Sequence, residues 1–182
     1  MNNKKGCKIG ICGSMSVGKT TLVNALAKLP QFKDYHFATE RSKYLRDLGI
    51  PLNTDSTLKG QTIFLAERVS ELMHENLITD RTIIDVMAFT QCANSINEAD
   101  KTSYEEYARN FIGEYDYIFY VSPEGVEIED NQVRETNAEY RDKIDYTIKG
   151  FCHLYNHRIK NFNIISGTTE ERIKQILETI SL

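Results

Sequence analysis

The stretch Lys8-Ile9-Gly10-Ile11-Cys12-Gly13-Ser14-Met15-Ser16-Val17-Gly18-Lys19-Thr20-Thr21 constrains the fold more than any other part of the chain. It reads as a short buried strand, a loop bounded by two glycines, and the first turn of a helix. Gly13, Gly18, Lys19 and Thr20 fill every fixed position of the spacing G-x-x-x-x-G-K-[ST]. Each position has its own physical reason. Gly13 lets the chain turn sharply off the strand, and Gly18 lets the backbone come close to an anion. The loop Gly13-Ser14-Met15-Ser16-Val17-Gly18 and the helix start Lys19-Thr20-Thr21 together present unpaired N–H groups to phosphate. Lys19 brings a point charge for the terminal phosphates. Thr20 brings a hydroxyl for Mg²⁺, a hard cation that prefers oxygen. The flanks separate this from a chance match: an apolar strand precedes the loop, and Leu22, Val23, Leu26 and Leu29 follow with helical spacing.

The 182 residues fit one domain, 1–182. A composition of 41% hydrophobic and 26% charged residues is that of a soluble globule. No apolar run is long enough for a membrane span, and the charged N-terminus has no apolar stretch behind it, so a cytoplasmic protein is expected. Net charge is −4 with no long basic block, which disfavours a broad footprint on duplex nucleic acid. A local basic groove stays open. The four cysteines form no C-x-x-C pair and read as reduced thiols. His153 and His157 read as helix-surface residues, with no third ligand nearby.

Along the chain, strands are predicted at Lys8–Cys12, Tyr35–Ala38, Arg81–Asp85, Tyr117–Val121 and Phe162–Ile165. Helices are predicted from the loop to Leu29, from Thr39 to Gly49, over Leu58–Leu77, over Met87–Ile96, and through Tyr104–Ile112. Two more follow, one through Ile144–Ile159 and one after Ser166-Gly167-Thr168. Leu52–Thr57 reads as a loop. Alternating strands and helices imply an α/β fold, a three-layer α/β/α domain around a five-stranded parallel sheet. Ligands of such sheets sit at the carboxyl ends of the strands.

Those ends carry the candidate chemistry. Asp85, closing the third predicted strand, is a candidate partner for Mg²⁺; a helix-capping role is the alternative. Glu40, after the second strand, is a candidate general base; a first-turn glutamate favouring the helix dipole is the alternative. Arg134 and Arg141, in a polar segment over about 124–141, are candidates for neutralising charge on a transferring phosphoryl group if that segment is a lid. A solvated charged helix would read the same way. The Leu58–Leu77 helix, with Gln61 and Arg68, is a candidate wall for an acceptor pocket.

The phosphate loop, Glu40, Asp85 and the run Asp130-Asn131-Gln132-Val133-Arg134 occur in an order similar to the P-loop nucleoside and nucleotide kinases. The chain most resembles their AAA-domain branch, which contains the ribosylnicotinamide kinase domain of bacterial NAD-regulator proteins and many phage proteins. That branch shows a glutamate–x–x–arginine start after strand two; Lys43 stands where the arginine would be. Its aspartate–glycine–x–arginine lid lacks the glycine here, and Arg141 matches its second arginine. Thymidylate and deoxynucleoside kinases place an arginine straight after the strand-three acid, where this reading finds Val86. The resemblance implies a sheet order of 2-3-1-4-5, ATP and Mg²⁺ as cofactors, and γ-phosphate transfer to a nucleoside-like or nucleotide-like acceptor. It also puts Ser166, Gly167 and Thr168 near adenine. A hydroxyl on DNA or RNA is an alternative acceptor, and a regulatory ATPase an alternative class. The absence of N-K-x-D disfavours a GTPase. Monomer and homodimer both stay open.

Overall fold

The computed structural model describes residues 6–39, 42–123 and 138–180. Five strands form one sheet: β1 (Lys8–Cys12), β2 (His36–Ala38), β3 (Leu77–Asp80), β4 (Tyr117–Val121) and β5 (Phe162–Ile165). All pair in parallel, in the order β2-β3-β1-β4-β5. Among the described residues there are seven α-helices: α1 (Lys19–Leu26), α2 (Ser42–Asp47), α3 (Leu58–Glu71), α4 (Ile83–Cys92), α5 (Glu98–Ala108), α6 (Ala138–Leu154) and α7 (Thr169–Ile180). None of the described helices is long and apolar enough to cross a membrane.

Strand alternation sorts the core into two layers. Ile9 and Ile11 of β1, with Phe119 and Val121 of β4, pack on Leu22 and Leu26 of α1 and Ile176 of α7. The residues between them, Cys12, Ile118 and Tyr120, face Ile83, Met87, Ile144 and Ile148 of α4 and α6. Both faces are covered, so the central strands read as continuous apolar runs.

Three predicted strands, β1, β4 and β5, have the expected bounds. The third does not. The strand is Leu77–Asp80, in register with Lys8–Ile11, and Asp80 closes it. The segment predicted as that strand, Arg81–Asp85, instead starts α4. Thr82 is the N-cap: its hydroxyl accepts the Ile84 N–H at 3.2 Å, while the Asp85 carboxylate reaches back to the Thr82 N–H at 2.7 Å. This Thr-x-x-Asp box overrides the β-branched character of the segment. The helix predicted over Leu58–Leu77 correspondingly ends at Glu71.

Gly10 marks where α4 meets the sheet. A Cβ there would lie 2.5 Å from Thr82 Cγ2 and 3.1 Å from the Tyr115 ring. Gly10→Ala is therefore expected to destabilise by about 1–3 kcal/mol, since overpacking exceeds the roughly 0.4–1 kcal/mol gained by stiffening the unfolded chain. Thermal unfolding checks this: a fall in Tm of several degrees is expected, and an unchanged Tm would mean that Thr82 and Tyr115 yield freely.

Candidate functional site

The phosphate-loop spacing folds into a hollow at the carboxyl end of β1. Its wall is made of Met15, Ser16, Val17, Gly18, Lys19 and Thr20, closed by Asp80 and Arg81. Gly13, at φ 150°, leaves the strand beside Val121, whose carbonyl oxygen would stand 2.8 Å from any Cβ. Gly18, at φ 85°, is the N-cap of α1. Ser16 holds φ 60°, so the loop bends into a concave run of backbone. The Ser14 and Ser16 hydroxyls are buried and have no hydrogen-bond partner among the described residues. Such orphaned groups fit a polar ligand. Thr21 is exposed on α1, outside the hollow.

Lys19 is buried and donates from Nζ to the carbonyls of Gly13 at 2.8 Å and Ser14 at 2.6 Å. An ammonium has three N–H groups, so one remains for a ligand. Burial pushes the Lys19 pKa down, and Arg81 adds to this; Asp80 and Asp85 pull it back up. An anion in the hollow would act with the two carboxylates.

The Thr20 hydroxyl donates to the Asp80 carboxylate. Asp80 is 1% exposed, and Arg68 holds its backbone carbonyl at 2.9 Å. Arg68 thus supports the strand end rather than walling a pocket. Among the described residues no group of three or more His, Cys, Asp and Glu could hold a metal alone. Thr20 and Asp80 nonetheless fit Mg²⁺, which takes few protein oxygens and completes its shell with phosphates and water.

Asp85 lies on this rim but in another position than predicted. One carboxylate oxygen accepts the Gly13 N–H at 3.0 Å; the other accepts the Thr82 N–H at 2.7 Å and the Thr82 hydroxyl at 2.8 Å. It fastens the loop to α4, and the strand-end acid is Asp80. The signal was the T-x-x-D box, which moves the strand's end five residues upstream, from Asp85 to Asp80. Arg81 therefore follows the acid directly, where the misplaced strand had put Val86. Arg81 holds φ 86°, and its guanidinium carbon lies 4.5 Å from the Phe89 ring centroid. Such backbone in a bulky residue persists where the surroundings over-determine it, often at functional sites.

Arg81 also lines a second, small cleft with Ser42, Asn53, Ser56, Gln61, Phe64 and Phe89. Gln61, named above as a candidate wall residue, lines this cleft. Ser56, 1% exposed, has a hydroxyl with no partner among the described residues. No motif in the sequence marks Ser56, which lies in the predicted loop.

Ser166, Gly167 and Thr168 form an exposed turn after β5, with Gly167 at φ 89°. Arg141 lies in the first turn of α6, 3.8 Å from Asp142, and lines neither cleft. Glu40 and Arg134 lie outside the described residues.

A family model described as an AAA domain (AAA_28) matches residues 8–172. The fold is shared with deoxyadenosine kinase from M. mycoides with bound dCTP, at 18% identity and a TM-score of 0.68, over 96% of this chain and 98% of that one. The same enzyme with bound dATP gives 18% identity and a TM-score of 0.64, over 96% and 100%. NadR protein in complex with NR gives 15% identity and a TM-score of 0.74, over 97% of this chain and 52% of that one. The chain thus spans about half of NadR. No curated protein sequence matches the chain.

Asp85→Ala would strand the buried Gly13 and Thr82 N–H groups. At about 1–3 kcal/mol for each of the two unsatisfied donors, a loss of roughly 2–6 kcal/mol is expected. Denaturant unfolding measures it. A loss well below about 1 kcal/mol would mean that both amides find other acceptors.

Proposed function

The chain belongs to the AAA_28 family of AAA domains and has the fold of a P-loop nucleoside-kinase-like domain; from that premise we propose that it transfers the γ-phosphoryl group of ATP, with Mg²⁺, to a hydroxyl of a nucleoside-like small molecule. One observation carries the reading. Arg81 lines both the phosphate-loop hollow and the adjoining cleft, so a polyphosphate and an acceptor would meet at one guanidinium.

Phosphoryl transfer needs positioning and charge neutralisation more than covalent chemistry. The loop amides would hold the phosphates, and the Lys19 ammonium would lie against the terminal ones. Thr20 and Asp80 would hold Mg²⁺, which when bound would supply charge neutralisation to the phosphates. Arg81 would take up charge on the side facing the acceptor, as a planar donor fork suits phosphate. In the cleft, Phe64 and Phe89 offer flat apolar surface, while Asn53, Ser56 and Gln61 offer neutral hydrogen-bonding groups. That lining suits an uncharged ring with polar edges. The similar structures, deoxyadenosine kinase with dATP or dCTP and NadR with NR, hold ligands of this kind. Glu40 remains the candidate base, Arg134 and Arg141 candidate lid residues, and Ser166–Thr168 the candidate adenine-side turn.

The test is a panel of nucleosides, nucleotides, nicotinamide riboside and oligonucleotides, scored for acceptor-dependent ADP release. Turnover with a nucleoside is expected, as is its loss on chelating Mg²⁺. Stimulation by oligonucleotides alone would favour a nucleic-acid acceptor, and acceptor-independent hydrolysis a regulatory ATPase. Lys19→Ala is expected to lower kcat at least about 100-fold, the scale for a lost transition-state donor; activity surviving it would belong to another site. Ser56→Ala is expected to raise the acceptor KM roughly 5-fold, one hydrogen bond's worth, while leaving the KM for ATP unchanged. An effect on ATP alone would remove the acceptor from this cleft.

A further inference from the structure

Helix α7 reaches the phosphate loop through Arg172. This side chain is 5% exposed and donates from Nη1 to the Val17 carbonyl at 2.7 Å. Its neighbour Glu171 accepts the Thr168 N–H at 2.7 Å, and the Arg172 N–H itself donates to the Thr168 carbonyl at 3.0 Å. One turn on, Gln175 holds the Ser166 carbonyl at 2.9 Å and the Ser166 N–H at 3.3 Å. Two consecutive residues of one helix thus fasten the turn after β5 and the phosphate loop.

The hydrogen bond to Val17 has a directional consequence. The described peptide bonds are trans, and in a trans peptide the C=O and the following N–H point opposite ways. With the Val17 carbonyl turned to Arg172, the Gly18 N–H points away from α7. Gly18 lines the hollow, and a Cβ on it would meet Arg172 Nη1 at 3.1 Å. The guanidinium therefore backs the loop at a residue that lines the hollow.

We propose that Arg172 is a positioning residue: it presets the Gly18 N–H toward the nucleotide's phosphates and couples occupancy of the hollow to the turn at 166–168. This rests on the nucleotide-binding reading above. Equilibrium titration with ADP tests it without any acceptor. Arg172→Met is expected to weaken ADP binding about 10- to 100-fold, the scale of one hydrogen bond from a charged donor. Arg172→Lys keeps a donor and is expected to recover part of that loss. In turnover, the KM for ATP should rise while kcat and the acceptor KM hold. A purely structural role would lower Tm in both variants and leave ADP affinity equal in the folded fraction. In the wild type, ADP is expected to slow amide exchange at residues 168–173 as well as 13–20. Should Arg172→Met not fold, Arg172→Lys and the wild-type exchange pattern decide. Equal ADP affinity in a folded variant, or protection confined to 13–20, overturns the proposal and leaves the nucleotide reading standing. A wild type that binds no ADP overturns that reading itself.

Discussion

The Asp85 carboxylate holds the functional edge of this molecule together. It is fully buried, and its oxygens accept from the Gly13 N–H, the Thr82 N–H and the Thr82 hydroxyl. A carboxylate without water is tolerable only with such a set of donors. The bonds fix the distance between the end of β1 and the start of α4. One residue remains between the strand-closing Asp80 and the capping Thr82. That residue, Arg81, takes a left-handed backbone because its neighbours on both sides are already committed.

The rest of the edge follows from this junction. Asp80 meets the Thr20 hydroxyl from one side, and Arg68 steadies its backbone from the other. Arg81 turns toward Phe89 and so stands between two clefts. The two clefts share Arg81, at the point where a strand passes into a helix. Rigid elements thereby deliver side chains that a loop could not hold as closely.

Much of this was legible in the sequence. The loop spacing was specific, and β1, β4 and β5 are apolar runs flanked by clear stops, so their bounds were readable. The third strand was misread because Leu77–Asp80 and Arg81–Asp85 are both β-branched and both end in aspartate. Periodicity cannot separate two such short runs. The capping signature could have done so, and would have shown the acid–arginine pair at Asp80 and Arg81. Ser56 and Arg172 were beyond reach for another reason. Their roles come from contacts across the fold: Ser56 lies among residues of α3 and α4, and Arg172 bonds a carbonyl 155 positions away. No local pattern encodes such proximity.

The hollow as described already satisfies much of its own hydrogen bonding. Lys19 holds the carbonyls of Gly13 and Ser14, and Thr20 holds Asp80. On the proposed reading, nucleotide entry would be an exchange of partners, its affinity a difference between bonds formed and bonds surrendered. A small monoanion would break internal contacts and return few. A chelate of several phosphates with a divalent ion would engage the ammonium, the hydroxyl and the carboxylate together. On that reading the pre-satisfied state would act as a threshold, favouring multivalent ligands over the simple salts that surround it.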